Sequence, residues 1–362
     1  MYDNRFLSKD VSRRDFLQKT GKVVLTGATA LSLNSLMGCV APLRENRQDV
    51  INQEWDVNPI IPIPQDGCYV GGYRFALGPT GVEIYADLIG KTPAFWAFTI
   101  GHYSALNDHF PKEWCENLIN MGIVPEMNYG IEPFTSFKEI AKGKHDDTIK
   151  KFAGKVAEFG KPNVFIPFKE INIIKGAYWT YSGGSSKWFK ETYRHMHAIF
   201  KELGADKNTF WAINYLGTYS PAARRYLESF YPGDDVVDMI GFTVENRLDF
   251  GYPPASFKYL FQWDYSWARN KHSTKPLALF EVGQSANHRQ HQWIRKTYRD
   301  IKEIFPALKM VQWWDAILFT ARMKDDQQFS GSIKSVEAMQ EIHKDPYFIG
   351  GPLTFLNKYK EG

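Results

Sequence analysis

The sequence predicts a (β/α)8 barrel, and three observations lead to that expectation. Short apolar runs alternate with amphipathic stretches eight times between residues 69 and 343. Several runs are apolar almost throughout, which is typical of strands buried on both faces of a parallel sheet. Regular strand–helix alternation favours a closed barrel or an open, doubly wound sheet. No Gly-x-Gly-x-x-Gly pattern follows the first run to support a nucleotide-binding open sheet, so we expect the barrel.

The predicted strands are short and follow one another at regular intervals. They cover Tyr69–Ala76, Ala94–Thr99, Ile123–Asn128, Asn163–Glu170, Thr209–Tyr215, Val236–Thr243, Pro276–Val282 and Lys309–Trp314. Between them, apolar residues recur at helical spacing. This pattern predicts helices over Val82–Ile89, Lys112–Met121, Asp146–Phe159, Lys187–Leu203, Pro221–Phe230, Ser256–Ala268, His288–Ile304 and Ser335–His343.

The N-terminal region is predicted to be an export signal. Arg13 and Arg14 form a twin-arginine pattern, and the apolar segment Val23–Met37 is too short for a spanning helix. Together they predict a signal over residues 1–38 that the Tat export machinery reads; a basic amphipathic helix is the alternative. Cys39 ends a stretch that resembles a lipobox, which predicts a periplasmic protein anchored by a lipid on that cysteine. Val40 favours the outer membrane, whereas ordinary signal-peptidase cleavage would leave a soluble periplasmic protein.

The part of the chain after the signal is expected to be a tether followed by one domain, and its net charge argues against one class of partner. Residues 39–65 contain several prolines in polar sequence and are expected to form a tether, and residues 66–350 one barrel domain. The formal net charge is +4, and residues 1–38 hold six Lys/Arg against three Asp/Glu, so the remainder is close to neutral. Near-neutral charge argues against nucleic acid. Cys68 and Cys115 are expected to be buried thiols without a disulfide, and the protein to be a monomer.

Polar and aromatic residues follow the predicted strands, where (β/α)8 barrels carry their functional groups. Carboxylates, amides and rings together suit the recognition of neutral sugars, and the aromatic content is 15% with eleven Trp. Trp211 and Trp313 are expected in the core. His102 is also an alternative acid or ligand, and no cluster has metal-ligand spacing or implies a cofactor. The predicted substrate-binding residues are His102, Tyr129, Lys169, Asn172, Tyr178, Trp179, Asn214, Tyr215, Glu245 and Trp314.

Two carboxylates stand out because each closes an apolar run. Glu170 ends the fourth predicted strand and Glu281 the seventh, and these strands lie across a barrel mouth from each other. Retaining glycoside hydrolysis needs such a pair, with one protonated carboxyl and one ionised carboxylate about 5–5.5 Å apart. Close like charges cannot both ionise easily, which gives two identical side chains different roles. The alternative is that each Glu pairs with a basic neighbour at a strand end.

Several segments resemble glycoside hydrolase family 26, the β-mannanase family of retaining (β/α)8 glycosidases. Phe168–Asn172 (FKEIN) is similar to its acid/base segment, and Phe280–Gly283 (FEVG) to its nucleophile segment. Tyr231–Gly241 (YPGDDVVDMIG) resembles the entry to its sixth strand, and Ile123–Pro133 its third-strand region. The resemblance extends over about residues 70–320, most of the chain. It implies Glu170 as the acid/base, Glu281 as the nucleophile, and a β-linked, mannan-like polysaccharide or oligosaccharide as substrate.

The chain departs from the family at two positions. Lys169 stands where the family has a histidine before the acid/base, and a lysine there is expected to favour the ionised form of Glu170. Glu245 stands where the family often has a tyrosine; it is either a third carboxylate of the site or a solvated loop residue. Two other functions therefore remain open: a glycan-binding envelope lipoprotein without turnover, and an envelope assembly protein in which Glu170 and Glu281 do not converge.

Overall fold

The computed structural model describes residues 45–74, 79–100, 108–130, 136–172, 186–217, 224–319 and 324–360. Eight parallel strands follow one another around a closed barrel, because β1 pairs with β8 as well as with β2. The predicted (β/α)8 barrel is therefore confirmed. The strands are β1 (Cys68–Tyr73), β2 (Phe95–Ile100), β3 (Val124–Tyr129), β4 (Asn163–Pro167), β5 (Thr209–Leu216), β6 (Met239–Asn246), β7 (Leu277–Gln284) and β8 (Leu308–Trp314).

Within the described ranges, eight helices alternate with these strands, and each matches a predicted helix to within a few residues at either end. They are α2 (Pro79–Ile89), α3 (Lys112–Asn120), α5 (Asp146–Phe159), α6 (Ser186–Glu202), α7 (Arg224–Phe230), α8 (Phe257–Lys271), α9 (Gln290–Glu303) and α10 (Ile333–Ile342). Residues at the helix termini explain where some helices end. Helix α5, for example, ends at Gly160, which takes the left-handed conformation (φ 61°) that glycine tolerates. No helix in the described ranges is both long and apolar enough to cross a membrane.

Short elements were not predicted. They are α1 (Arg47–Ile51), α4 (Phe137–Ala141), the hairpin of β9 (Ile317–Phe319) and β10 (Lys324–Asp326), and β11 (Phe348–Ile349), together with three 3-10 turns among the described residues. Five-residue helices and two-residue strands carry too little periodicity to read from sequence. β11 pairs with β1, and Leu356 beyond it is fully buried. The packed fold therefore continues past residue 350, where the predicted domain ended.

Residues 45–65, predicted as part of the tether, pack against the barrel instead. Val50 and Ile61 are each 1% exposed. The side chain of Asn58 donates to the Thr209 carbonyl at the start of β5, and its backbone N–H donates to Asp238 at 2.6 Å, just before β6. The segment thus covers the N-terminal end of the barrel. The prolines led to the expectation of a tether, but the apolar residues between them are buried, which ties the segment down.

The core lies between the barrel and its helices and is rich in aromatic rings. Trp211 on β5 is 1% exposed and contacts Phe165 of β4 and Phe200 of α6, with ring centroids 5.0 and 4.9 Å apart. Trp313 is fully buried, and its indole N–H donates to the Gln327 carbonyl at 3.0 Å. The prediction that both tryptophans belong to the core is confirmed, as is the burial of the free thiols Cys68 and Cys115.

Three strand ends differ from the prediction where it bears on function. β4 ends at Pro167, so Glu170 lies in the turn after the strand. β6 begins only at Met239 and continues to Asn246, which places Glu245 within a strand. β7 continues to Gln284, three residues past Glu281. Glu245 and Glu281 thus belong to the barrel wall, whereas Glu170 lies just beyond it. Of the three, Glu245 is the residue that the prediction had placed outside its strand.

Candidate functional site

The turn after β4 has an unusual backbone conformation that its packing maintains. Phe168 and Glu170 both have positive φ, 66° and 52°, which costs free energy for residues with a Cβ. The Phe168 ring compensates by filling the core, where its centroid lies 5.1 Å from that of Phe137 on α4. That helix is fixed by a capping box in which Ser136 and Glu139 each accept from the other's backbone N–H. Buried packing on one side therefore presents Lys169 and Glu170 on the other.

Side chains at the end of β5 hold the same turn in place. The Asn214 side-chain oxygen accepts from the Glu170 backbone N–H at 2.9 Å, and its backbone carbonyl accepts from Ile171 at 3.3 Å. Asn172 bonds through its side chain to both the N–H and the carbonyl of Leu216, each at 2.8 Å. The predicted site residues Asn172 and Asn214 thus orient the acidic turn.

Glu281 forms an ion pair with Lys169 across the mouth of the barrel. The Glu281 side chain is 9% exposed and the Lys169 side chain 24% exposed, and the ammonium donates directly to a carboxylate oxygen. Burial raises the pKa of Glu281 to about 7, although the lysine charge opposes that rise. Burial alone would lower the pKa of Lys169, but the charges of Glu281 and Glu170 keep it above its ordinary value. The lysine is therefore a fixed positive charge.

Glu170 and Glu281 belong to one electrostatic cluster centred on this lysine. The negative charge of Glu170 contributes to raising the pKa of Glu281, and it also raises the pKa of Lys169. Such effects are strong only between groups a few ångströms apart in a buried site. Lys169 was expected to favour the ionised form of its neighbour Glu170, and the attraction between these two charges agrees with that expectation. The hydrogen bond from the ammonium to Glu281 was not predicted.

Glu245 is a third carboxylate of this cluster and is not a solvated loop residue. It is 3% exposed on β6 and raises the pKa of Glu281. Arg247 donates to one of its oxygens at 2.6 Å, and the Gln327 side chain donates to the other at 2.9 Å. These partners were not predicted; Arg247 follows the last residue of β6 and lies two positions after Glu245.

Glu126 is a fourth carboxyl group, inside the barrel on β3. It is fully buried, and neither oxygen makes a hydrogen bond of standard geometry to a described residue, although Asn128 lies close enough to lower its pKa. Burial raises the pKa of Glu126 to about 8, against the charge of Lys169 and together with that of Glu281. The carboxyl is therefore protonated at neutral pH. Its position in an otherwise uncharged strand (VPEMNY) was the signal that could have identified it.

Several buried polar atoms on the strands lack a hydrogen-bond partner among the described residues. Each of these atoms belongs to a residue next to an aromatic residue whose ring packs outward from the barrel. Because neighbouring residues of a strand face opposite sides, the polar side chain points into the barrel. The atoms are Asn128 Oδ1 beside Tyr129, Asn214 Nδ2 beside Tyr215, Thr243 Oγ1 beside Phe242, and Gln312 Oε1 beside Trp313. Buried polar atoms in native proteins are nearly always satisfied. The upper barrel therefore offers donors and acceptors to a polar ligand or to water.

Two predicted substrate contacts are corrected by the structure. Tyr129 is 1% exposed against Phe152 of α5, and Tyr215 is fully buried with its hydroxyl donating to the Leu227 carbonyl of α7 at 3.1 Å. Both face the helices because the alternation of a strand sends neighbouring residues to opposite faces. Trp314 is 7% exposed and stacks on Tyr73 with centroids 6.4 Å apart.

Other predicted residues lie outside the described ranges. They are His102, Tyr178 and Trp179 among the substrate contacts, and Arg13, Arg14 and Cys39 in the export and lipidation signals. Within the described residues, no group of three or more His, Cys, Asp or Glu side chains could hold a metal ion.

Fold and site together define a class: a (β/α)8 barrel with buried carboxyl groups around one lysine at its C-terminal mouth. Comparison with known proteins gives two groups of similar proteins. A β-1,3-xylanase from a Vibrio species is 23% identical over 274 residues, 73% of this chain and 50% of that protein. A β-1,3-xylanase from an Alcaligenes species is 22% identical over 291 residues, 78% and 52% respectively. The chain thus spans about half the length of these curated relatives.

Solved structures of mannanases share the fold. The catalytic domain of a glycoside hydrolase family 26 endo-β-1,4-mannanase from Bacillus sp. JAMB-750 has a TM-score of 0.58 at 15% identity, over 81% of this chain and 90% of that one. A family 26 β-mannanase from Bacteroides ovatus has a TM-score of 0.58 at 18% identity, over 79% and 90%. At these identities the likeness concerns the fold. No family model matches the chain.

Proposed function

We propose that the protein is a retaining glycoside hydrolase that cleaves a β-linked polysaccharide or oligosaccharide. The observation that carries the proposal is that Glu170 and Glu281 lie in one cluster around Lys169, on the β4 and β7 sides of the barrel mouth. Retaining hydrolysis uses two carboxyl groups of this kind. The similarity to xylanases and mannanases supports the same class.

Each carboxyl group has a distinct role in this proposal. Glu281 attacks the anomeric carbon because its ion pair with Lys169 favours the ionised form. Glu170 donates its proton to the leaving glycosidic oxygen and then takes a proton from the attacking water. The Asn214 side-chain oxygen accepts from the Glu170 backbone N–H at 2.9 Å, and this hydrogen bond holds Glu170 in position for both proton transfers. The inward-facing polar atoms of Asn128 and Gln312 are available to bind sugar hydroxyl groups.

The relatives narrow the substrates to test. The curated relatives are β-1,3-xylanases, and the solved structures are β-1,4-mannanases. We therefore propose a backbone-cleaving enzyme that acts on β-mannan or on β-xylan. Trp314, stacked on Tyr73 at the end of β8, is a candidate floor for one sugar ring because a pyranose presents C–H groups to an aromatic face.

Glycan binding without turnover is the second candidate, and one observation favours it. The ammonium of Lys169 contacts the carboxylate of Glu281 directly, so the nucleophile is occupied in the free protein. A sugar must displace or share that contact before Glu281 can attack. If the ion pair persisted in the complex, the protein would bind a glycan and leave it intact.

Product release from a panel of glycans tests both candidates. The panel comprises β-1,4-mannan, β-1,3-xylan, β-1,4-xylan, mixed-linkage β-glucan and bacterial exopolysaccharide, with Glu281→Gln and Glu170→Gln beside the wild type. Glu337→Gln, an exposed glutamate of α10, is the matched control. We expect cleavage by the wild type and control alone, with products that keep the β configuration by proton NMR. Binding without cleavage in all four proteins would support the second candidate.

We also propose that the protein is exported and anchored, from the pattern at Arg13, Arg14 and Cys39 alone. Labelling with radioactive palmitate in a Tat-competent host tests this, with Cys39→Ser as the comparison. Label in the wild type and none in Cys39→Ser is expected. Equal labelling of the two proteins would contradict the anchor, and export that survives Arg13→Lys combined with Arg14→Lys would contradict the Tat route.

A further inference from the structure

Lys169 lies between two carboxyl groups with different roles in the proposed reaction. It donates to Glu281 and precedes Glu170 in the chain, and the charges of both acids raise its pKa. Lys169 itself is held by the turn that Phe168 anchors in the core. The position of the positive charge is therefore set by the protein and does not depend on a bound ligand.

The proposed reaction moves one negative charge from Glu281 to Glu170. In the first step a Glu281 oxygen forms a bond to the anomeric carbon while the bond to the glycosidic oxygen breaks, and that oxygen takes the proton of Glu170. Glu281 is then a neutral ester and Glu170 an anion. In the second step Glu170 takes a proton from water, the resulting hydroxide attacks the same carbon, and Glu281 leaves as an anion. The cluster keeps its total charge throughout.

We propose that Lys169 is the common counterion of this cycle: its ammonium group pairs with Glu281 in the free enzyme and with Glu170 in the glycosyl-enzyme. It keeps its three protons in both states and acts as a positioning residue, because it stabilises whichever of the two carboxylates is ionised. The inference rests on the proposed function and adds a role that a histidine, which loses its charge near neutral pH, could not fill in the same way.

The other titratable groups around Glu281 do not act as its counterion. Arg247 is bonded to Glu245 on β6, and its charge offsets that carboxylate. Glu126 on β3 is protonated at neutral pH because burial raises its pKa to about 8. Tyr73 on β1 is uncharged, since burial raises its pKa further above its ordinary value. Among the described groups that act on Glu281, Lys169 is thus the cation that can pair with the negative charge on Glu281 and then with the one on Glu170.

A measurement without substrate tests the second half of the cycle. In Glu281→Gln the neutral amide stands for the ester of the glycosyl-enzyme. Carbon-13 NMR of the full chain, labelled at the glutamate side-chain carboxyl, follows the titration of Glu170. We expect its midpoint to rise by about 1 pH unit or more when Lys169→Met is added to Glu281→Gln. Equal midpoints with and without Lys169 would overturn the proposal.

The pH dependence of kcat/KM tests the first half. Its acid limb reports the ionisation of the nucleophile in the free enzyme. We expect Lys169→Met to move that limb up by about 1–3 pH units and Lys169→Arg to leave it within about 0.5. Lys302→Met removes a comparable, 31% exposed lysine paired with Asp345 on the outer surface, and should change nothing. An unchanged limb in Lys169→Met would overturn the inference.

Failure of the proposed function gives a different result from failure of this inference. If the wild type cleaves nothing, or if Glu281→Gln cleaves as well as wild type, the glycosidase proposal is wrong. The NMR comparison still measures the coupling of Lys169 to Glu170 in that case. If Lys169→Met does not fold, Lys169→Gln, which keeps a polar side chain of similar length, replaces it in both measurements.

Discussion

The buried carboxyl group of Glu126 should make the stability of the protein depend on pH. Its pKa is about 8 in the folded protein, against an ordinary value of 4.5 in the unfolded chain. Between these values the unfolded carboxyl is ionised while the folded one still holds its proton. Unfolding therefore releases a proton, and the contribution of Glu126 to stability, complete below pH 4.5, is lost as the pH rises toward 8.

The size of the effect follows from the interval. From pH 4.5 to pH 7 the loss is about 1.4 kcal/mol per pH unit, on the order of 3 kcal/mol in total. Glu126→Gln replaces the carboxyl group by a neutral side chain of the same shape and removes this dependence. We expect the unfolding free energy of Glu126→Gln, minus that of the wild type, to become more positive by that amount over the interval.

Urea unfolding followed by tryptophan fluorescence, at constant ionic strength between pH 4.5 and 7.5, measures this difference. Glu337→Gln, the exposed glutamate of α10, is the control, and its difference from wild type should stay nearly constant. A constant difference for Glu126→Gln as well would refute the reasoning. It would mean that Glu126 ionises over the same pH range in the folded protein as in the unfolded chain.

Three further substitutions test the supports of the site. Asn214→Ala leaves the backbone N–H of Glu170 without its acceptor; it should lower the unfolding free energy by about 1–3 kcal/mol and lower kcat more than it changes KM, whereas unchanged kinetics would contradict the positioning role. Gly283→Ala puts a Cβ 1.9 Å from Gln327 Oε1, so we expect it to break the hydrogen bond from Gln327 to Glu245 and to lower kcat. A crystal structure of Gly283→Ala with that hydrogen bond intact would contradict this prediction. Phe168→Ala should cost about 3–5 kcal/mol in urea unfolding, and a loss below about 1 kcal/mol would mean that the ring does not anchor the turn.

The barrel could be predicted from the sequence because eight short apolar runs alternate with helical patterns. Its strands and helices follow from side-chain periodicity, which the sequence contains directly. The direction in which a strand residue points is harder to predict when both faces are buried. Tyr129 and Asn128 are neighbours in the same strand, yet one packs on a helix and the other faces the barrel interior. Polar character was therefore a better guide to the interior than aromatic character.

The details of the candidate site depend on geometry that the sequence does not contain. Positive φ at Phe168 and Glu170 could not be predicted, because glycine is the usual residue in that conformation. The partner of Lys169 is 112 positions away in the chain, and only the closure of the barrel brings the two together. Both acids and the lysine could be identified from the sequence, but the bond from Lys169 to Glu281 could not, because adjacency was the only distance available.

Because residues 45–65 pack against the barrel, the described chain begins at a defined end of it. Glu45 binds Arg269 at 2.7 Å near the end of α8, and Asn58 covers the start of β5. Both contacts lie at the opposite end of the barrel from Lys169 and Glu281. Any surface to which the chain is attached upstream of residue 45 would hold the barrel by its closed end. The mouth would then open away from that surface, toward polymers too large to reach the space beneath the protein.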